Sequence, residues 1–200
     1  MIDNAQKEKL LQYVALLLKW NAKINLIAKS TIDEVWERHI EDSLQVVEHI
    51  PANTKTLIDL GSGGGLPAIP LAIATGLPVH MVESDKRKSA FLRQCLRELG
   101  LEGKVYDSRI DEANLTNIIE PVIITARALS ELKNICNWVN SLVANNNLND
   151  YALLLLKGEN VSRETISAKE SWELDLEFFE SKTSNGSMIV RIEKLGEKNG

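Results

Sequence analysis

The chain has few cysteines, and their positions argue against a disulfide framework. Only Cys95 and Cys136 occur in 200 residues, and both lie within helical sequence patterns. Neither has a partner at metal-ligand spacing, so we expect no metal site. Such cysteines are typical of buried free thiols in a reducing compartment, and we expect a cytoplasmic protein.

The sequence also lacks a long apolar run and an N-terminal leader pattern. No stretch approaches the ~20 apolar residues of a membrane span, and residues 1–8 are polar and of mixed charge, unlike a signal peptide. The net charge of −5 argues weakly against a nucleic-acid partner. A single basic face would still suffice, because binding depends on local potential. We expect a monomer without a membrane partner.

Apolar runs alternate with helical patterns from residue 56 onward. Strands are predicted at 56–60, 79–83, 104–108, 122–126 and 151–156. Helices are predicted at 67–75, 86–99, 110–119, 130–145 and 162–171. A strand, a hairpin turn and a last strand follow over 174–194. This order predicts an α/β, Rossmann-like fold with seven strands, mostly parallel, and an antiparallel edge strand.

Residues 1–52 are predicted to form a helical appendage, and residues 53–200 the main domain, in one compact unit. An apolar stripe predicts a helix over 4–20, and a second helix is expected from Ser30 to about His49. We expect the appendage to cover the ligand side of the main domain.

The most informative stretch is a glycine-rich loop, Asp59-Leu60-Gly61-Ser62-Gly63-Gly64-Gly65-Leu66-Pro67, between a predicted strand and a predicted helix. Glycine permits left-handed backbone and the close approach of a ligand. Strand–loop–helix units of this kind hold nucleotide-like cofactors. The alternative is a glycine turn in an unrelated α/β domain.

The spacing of the glycines favours one cofactor over another. A dinucleotide fingerprint would place its third glycine at position 66, where Leu66 stands. The pattern with Gly61, Gly63 and Gly65 looks instead like motif I of class I S-adenosylmethionine-dependent methyltransferases. Glu83, at the end of the next predicted strand, is the expected acid for the ribose hydroxyls.

Basic residues cluster on the helix that follows Glu83. Lys86, Arg93 and Arg97 recur at near-helical spacing, with Arg87 beside them, and Lys23 in the appendage could extend the cluster. We predict that these side chains contact RNA phosphates. A solvated helix face is the alternative reading.

Three polar residues are candidates for the chemistry. Arg127 follows the fourth predicted strand, at the edge where open α/β sheets place ligands. His39 and Asp42 are three residues apart on one helix face, which suits a general base or, equally, a structural pair.

The absence of two acceptor motifs narrows the reaction. The chain has no Asn/Asp-Pro-Pro-aromatic motif for an exocyclic amine, and Cys136 lacks the Pro-Cys context of a pyrimidine C5 nucleophile. An acceptor that needs no deprotonation, such as guanine N7, fits best. Catalysis would then depend mainly on in-line positioning.

These residues together resemble the RsmG (GidB) family of bacterial 16S rRNA guanine-N7 methyltransferases. The resemblance spans about residues 13–194 and includes Trp20-Asn21, Arg38-His39-Ile40, Asp42-Ser43, the glycine loop, Phe91-Leu92-Arg93 and Arg127-Ala128. It implies S-adenosylmethionine as cofactor and 16S rRNA or a small-subunit particle as partner, with guanine 527 as the target. The implied cofactor contacts are Gly61, Leu66, Ile110, Asp111 and Arg127. For His39 and Asp42 the resemblance implies a structural or RNA-facing role.

Some positions depart from the family pattern. Val122 stands where an acid commonly opens the fourth strand, and Ser187 replaces an arginine before the last strand. Two other function classes remain open: a non-catalytic RNA-binding assembly factor and an NAD-dependent oxidoreductase domain.

Overall fold

The computed structural model describes residues 2–198, and its centre is a seven-stranded sheet. The strands are β1 Thr56–Leu60, β2 Val79–Val82, β3 Gly103–Tyr106, β4 Val122–Arg127, β5 Tyr151–Lys157, β6 Trp172–Glu180 and β7 Met188–Glu197. Their order across the sheet is β3-β2-β1-β4-β5-β7-β6. Strands β1 to β5 pair in parallel, and β7 pairs antiparallel with both β5 and β6. The predicted seven-stranded, mostly parallel sheet is confirmed, with its antiparallel strand next to the edge strand β6.

The α-helices cover both faces of this sheet. They are α1 Asn4–Asn21, α2 Asp42–Leu44, α3 Ala68–Thr75, α4 Lys86–Leu99, α5 Leu132–Asn146 and α6 Val161–Lys169. Alternate residues of the central strands enter different hydrophobic cores, as Leu57 and Ile58 do. One core lies under α1, α3 and α4, and the other under α5 and α6. Strands buried on both faces read as the continuous apolar runs seen in the sequence.

The N-terminal segment shares the first of these cores. Leu10, Tyr13 and Leu17 on α1 are fully buried in it. Gln6 also donates to the carbonyl of Ala74 at the end of α3, over 2.9 Å. The appendage is therefore continuous in packing with the helices that flank the glycine loop.

The predicted second helix is irregular. The chain forms a 3-10 turn at Lys29–Thr31, then a π turn at Trp36–Glu41, the single turn α2, and a 3-10 turn at Gln45–His49. The Ser43 hydroxyl donates to the carbonyl of His39 over 2.6 Å, inside this run. Hydroxyl groups that bond back to the preceding turn loosen the regular ladder. Single π turns are frequent at functional sites.

The helix predicted over 110–119 is absent. The chain forms a 3-10 turn at Ile110–Glu112 and continues irregularly to β4. The side chain of Asn146 accepts from the Leu115 amide over 2.6 Å and donates to the Ala113 carbonyl over 2.9 Å. Asn117 is left-handed, with φ of 60°. A side chain from α5 thus satisfies the backbone groups that a helix would have paired.

Candidate active site

Two clefts lie at the carboxyl edge of the sheet, where the strand order reverses between β1 and β4. Open α/β sheets place their ligands at this switch point. The first cleft, about 330 Å³, lies over β1, β2 and β3 and includes Gly61, Glu83 and Asp111. The second, about 650 Å³, lies over β4, β5 and β7 and includes Arg127 and Lys157. Ala128 and Leu129 line both clefts, so this short segment divides them.

The glycine loop is left-handed at three positions, Gly61, Gly63 and Gly65, with φ of 62°, 53° and 79°. A Cβ at Gly65 would lie 2.7 Å from Ile69 Cγ1, so this glycine permits close packing as well as the turn. The Tyr13 hydroxyl donates to the carbonyl of Gly64 over 2.5 Å. The N-terminal helix therefore supports the loop directly.

Glu83 holds the loop and faces the first cleft. One carboxylate oxygen accepts from the Gly63 amide and the other from the Asp85 amide, each over 2.8 Å. The residue is only 7% exposed. Each carboxylate oxygen keeps a further acceptor position for a ligand hydroxyl. Leu66, another predicted cofactor contact, is packed in the first core.

Asp59 carries a carboxylate oxygen without a protein partner. Its Oδ1 accepts from the Thr125 hydroxyl over 2.6 Å, while Oδ2 is buried and unpaired. Burial raises the pKa of Asp59 from 3.8 to about 7. Ser108 Oγ, on the lining of the first cleft, is also buried and unpaired. Unsatisfied buried polar atoms are rare and costly, so they mark places where a ligand would complete the hydrogen bonding.

The lining of the first cleft also includes Ile110, Asp111 and Trp138. The first two were predicted from the sequence, and Trp138 was missed. Trp138 lies outside the apolar stripe by which α5 packs on the sheet. A large aromatic side chain off the buried face of a helix is the signal that could have identified it.

Arg127 brings the other predicted residues together. Its NH1 donates to Asp42 Oδ2 over 3.0 Å, and its NH2 donates to His39 Nδ1 over 3.0 Å. NH1 also reaches the carbonyl of Arg38 at 3.4 Å. Arg127 lines the second cleft, whereas its neighbours Ala128 and Leu129 reach the first. The arginine therefore lies at the boundary between the clefts.

His39 is held as a neutral hydrogen-bond acceptor. Because Arg127 is always protonated, His39 Nδ1 accepts, which leaves the proton on Nε2, 2.8 Å from the Thr31 hydroxyl. Burial, and then the Arg127 charge, lower the pKa of His39 from 6.5 to about 4. Both ring nitrogens are engaged within the protein. This arrangement favours the structural interpretation of the His39–Asp42 pair over a general base.

Lys157 fixes the far wall of the second cleft. Its ammonium pairs with Glu164 Oε2 at 2.5 Å and donates to the carbonyl of Ser130 over 2.7 Å. Glu164 Oε2 also accepts the Leu132 amide, at the start of α5, over 2.9 Å. A buried lysine thus ties α6 to Ser130, directly after the segment that divides the clefts.

The predicted RNA-binding cations are all exposed. Lys86, Arg87, Arg93 and Arg97 project from α4, and Lys23 follows α1. Trp20 packs between these helices: its indole N–H donates to Gln94 over 3.1 Å, and its ring centroid is 5.8 Å from that of Phe91. Trp20 therefore joins the two parts of the basic surface as a packing residue.

The cysteines have no catalytic placement. Cys95 and Cys136 are free and buried in different hydrophobic cores. Burial raises the pKa of each thiol to about 12, so neither forms a thiolate near neutral pH. Within residues 2–198, His, Cys, Asp and Glu side chains form no group of three or more that could hold a metal. Over the same residues, every helix is too short or too polar to cross a membrane.

Comparison with known families decides the class of protein. The sequence model described as rRNA small subunit methyltransferase G matches residues 6–189. The chain belongs to this family of small-subunit rRNA methyltransferases.

Individual relatives agree with the family match over nearly the whole length. The chain is 42% identical over 191 residues to the ribosomal RNA small subunit methyltransferase G of Gluconobacter oxydans, with 96% of this chain and 95% of that protein covered. It is 40% identical over 198 residues to the protein of that name in Dinoroseobacter shibae, covering 96% and 97%. The resemblance to the RsmG family drawn from the motifs is confirmed.

Solved structures with the same fold are more distant in sequence. The chain aligns with a fibrillarin/Nop5p complex structure at a TM-score of 0.58 and 12% identity, covering 80% of this chain and 83% of that one. It aligns with M. jannaschii TYW2 in complex with AdoMet at a TM-score of 0.55 and 16% identity, covering 88% and 80%. At these identities the likeness shows the fold alone, and it confirms the predicted class I methyltransferase fold.

Proposed function

We propose that the chain transfers a methyl group from S-adenosylmethionine to N7 of guanine 527 in 16S rRNA, acting as a cytoplasmic monomer. The observation that carries the proposal is the pair of clefts that meet at Ala128 and Leu129. A methyl transfer requires a donor site and an acceptor site that open onto each other. Family membership supports rRNA as the acceptor class.

The first cleft suits the cofactor. Glu83 has spare acceptor capacity for ribose hydroxyls, and Gly61 lines the cleft beside it. Ile110, Asp111 and Trp138 would flank the adenine. Asp59 Oδ2, which is buried and unpaired two residues before Gly61, would suit the cationic amino group of the cofactor. The M. jannaschii TYW2 structure, which has this fold, was solved with AdoMet and supports the assignment.

The proposed methyl transfer requires no proton transfer to or from the protein. When bound, S-adenosylmethionine supplies an electrophilic methyl group on a positively charged sulfur. Guanine N7 carries a lone pair and no proton, so the chain needs no general base. The engaged acceptor atoms of His39 and Asp42 agree with this. The residues act by in-line positioning, an effect that contributes about 7–11 kcal/mol where the geometry is optimal.

Arg127 is the residue we assign to the transfer step. It lies where the two clefts meet, and its guanidinium keeps N–H groups that the protein leaves unpaired. These N–H groups would orient the guanine or the methionine end of the cofactor. The basic surface of α4, with Lys23, would hold the flanking RNA by its phosphates.

The deciding experiment maps N7-methylguanosine in 16S rRNA from cells that contain or lack the protein. We expect methylation at position 527 to disappear with the protein and to return with the wild-type gene, but not with Arg127→Ala. Return of the methyl group with Arg127→Ala would remove the assigned role of this residue. Methylation that is unaffected by loss of the protein would favour a non-catalytic assembly factor.

A binding measurement addresses the oxidoreductase alternative. S-adenosylhomocysteine should raise the Tm of the purified protein, because a ligand of the folded state stabilises it. NAD should leave Tm unchanged. Membership of a methyltransferase family already argues against nicotinamide chemistry.

A further inference from the structure

We propose that Asp42 and His39 are positioning residues that fix the Arg127 guanidinium at the boundary between the clefts. The inference rests on the role of Arg127 in the proposed function. It assigns a purpose to the His39 and Asp42 pair, for which the sequence left open a general base, a structural contact and an RNA contact.

The first argument is the completeness with which Arg127 is held. A guanidinium has five N–H donors. NH1 uses its two hydrogens on Asp42 Oδ2 and the Arg38 carbonyl, and NH2 uses one on His39 Nδ1. The Nε hydrogen and the second NH2 hydrogen remain for a ligand. The Arg127 side chain is 17% exposed, so its contacts are largely shielded from water.

The second argument is that Asp42 is itself fixed. Its Oδ1 accepts from the Thr183 hydroxyl over 2.8 Å and from the Gln45 amide over 2.9 Å. Gln45 Oε1 in turn accepts the backbone amide of Lys182 over 2.8 Å. The carboxylate therefore connects β4 to the turn between β6 and β7. Neither oxygen is left free to act as a base.

The third argument is that His39 orients the Arg127 guanidinium as a neutral hydrogen-bond acceptor. The Thr31 hydroxyl donates to the Ala28 carbonyl over 2.9 Å, so it accepts from His39 Nε2. This chain fixes the ring tautomer and aims Nδ1 at Arg127. Asp42 and His39 engage different nitrogens of the guanidinium, which fixes its rotation as well as its position.

A positioning role predicts a specific kinetic pattern. Asp42→Asn keeps an acceptor for Thr183 but removes the charge that holds Arg127. We expect kcat to fall roughly 10- to 100-fold, since small misplacements of a positioned group have effects of this size. The KM for RNA and the Kd for S-adenosylhomocysteine should stay within about twofold of wild type. Asp33→Asn, an exposed aspartate in the same segment, is the matched control and should leave kcat unchanged.

A double variant tests whether the effect passes through Arg127. Arg127→Ala combined with Asp42→Asn should be no slower than Arg127→Ala alone, because residues that act as a unit are not additive. Independent, multiplied losses would overturn the positioning role. Restoration of most of kcat by Asp42→Glu would support it, since that variant returns the charge.

The outcomes separate this inference from the proposed function. Wild-type kcat in Asp42→Asn, with Arg127→Ala far slower than wild type, would overturn the positioning role and leave the function intact. Full activity in Arg127→Ala would overturn the role of Arg127 itself. If Asp42→Asn lowers Tm, Thr183→Val decides, because it removes only one donor to Asp42. We then expect a kcat several-fold lower, and an unchanged kcat would overturn the inference.

Discussion

Leu129 packs directly against Gly61: a Cβ on that glycine would lie 2.4 Å from Leu129 Cδ1. Gly61 begins the loop after β1, and Leu129 belongs to the segment that divides the clefts. The floor of the first cleft and the boundary of the second are therefore in contact. A side chain larger than hydrogen at Gly61 would therefore have to displace Leu129.

Gly61→Ala should weaken cofactor binding and lower stability. The added methyl group meets Leu129, and φ of +62° is strained for any residue with a Cβ. Gly76→Ala is the matched control, because its φ is +71° and nothing lies within 4 Å of the added Cβ. Both variants should lose about 1 kcal/mol from backbone strain. Only Gly61→Ala should also raise the Kd for S-adenosylhomocysteine, as measured by calorimetry; equal affinities would separate Leu129 from the cofactor site.

Trp138→Ala should weaken cofactor binding without disturbing the fold. The side chain lines the first cleft and lies outside the apolar stripe of α5. Loss of an aromatic wall beside a stacked ring costs about 0.5–1.5 kcal/mol, or roughly a twofold to thirteenfold higher Kd. Trp138→Phe should retain most of the affinity. A Kd that does not respond to Trp138→Ala would place the adenine elsewhere.

Asp59→Asn should weaken cofactor binding and raise the stability of the fold above neutral pH. Burial holds the pKa of Asp59 at about 7 in the folded protein, against 3.8 for the ordinary group. Between these values the folded state binds a proton that the unfolded state has released, so this group lowers stability as pH rises. At pH 8 the variant should be more stable to unfolding by on the order of a few kcal/mol, which is measured as a higher Tm. Its affinity for S-adenosylhomocysteine should fall; unchanged affinity would show that the free oxygen has no part in binding.

His39 should give stability the opposite pH dependence. Burial and Arg127 lower its folded pKa to about 4, from the ordinary 6.5. Between pH 4 and pH 6.5 the unfolded state binds more protons, so stability is lost as pH falls through this window. Urea unfolding of His39→Gln should show a flatter dependence there. His39 and Asp59 change the free energy of unfolding with pH in opposite directions over much of this range. Each single variant should therefore reveal the pH dependence that the other residue contributes.

The basic surface on α4 should determine RNA affinity. Arg93→Glu with Arg97→Glu should raise the Kd for a 16S rRNA fragment and flatten its salt dependence, because fewer counterions are released. Lys55→Glu with Lys169→Glu changes the net charge equally at exposed positions away from α4. Filter binding at several salt concentrations measures both pairs. Equal losses of RNA affinity in the two variants would indicate that net charge alone sets the affinity. Unchanged affinity in the α4 variant would show that the α4 surface does not contact RNA.

The sequence by itself determined the elements whose cause is local. The strands from β1 to β5 and helix α4 lie within one or two residues of their predicted bounds, because apolar runs and caps act over a few residues. The Asp85 side chain, for example, caps α4 by accepting from Arg87 and Lys88. The glycine loop could also be predicted from the sequence, because the left-handed backbone at Gly61, Gly63 and Gly65 favours glycine.

Only the tertiary structure decided which distant residues meet. Arg127 bonds to Asp42 and His39 across 85 and 88 positions of chain, so no local pattern could reveal the cluster. The helix predicted over 110–119 failed for the same reason, because Asn146 on α5 takes over its backbone partners. Pairings of this kind depend on how the sheet and its helices pack, and packing brings together groups that the sequence keeps far apart.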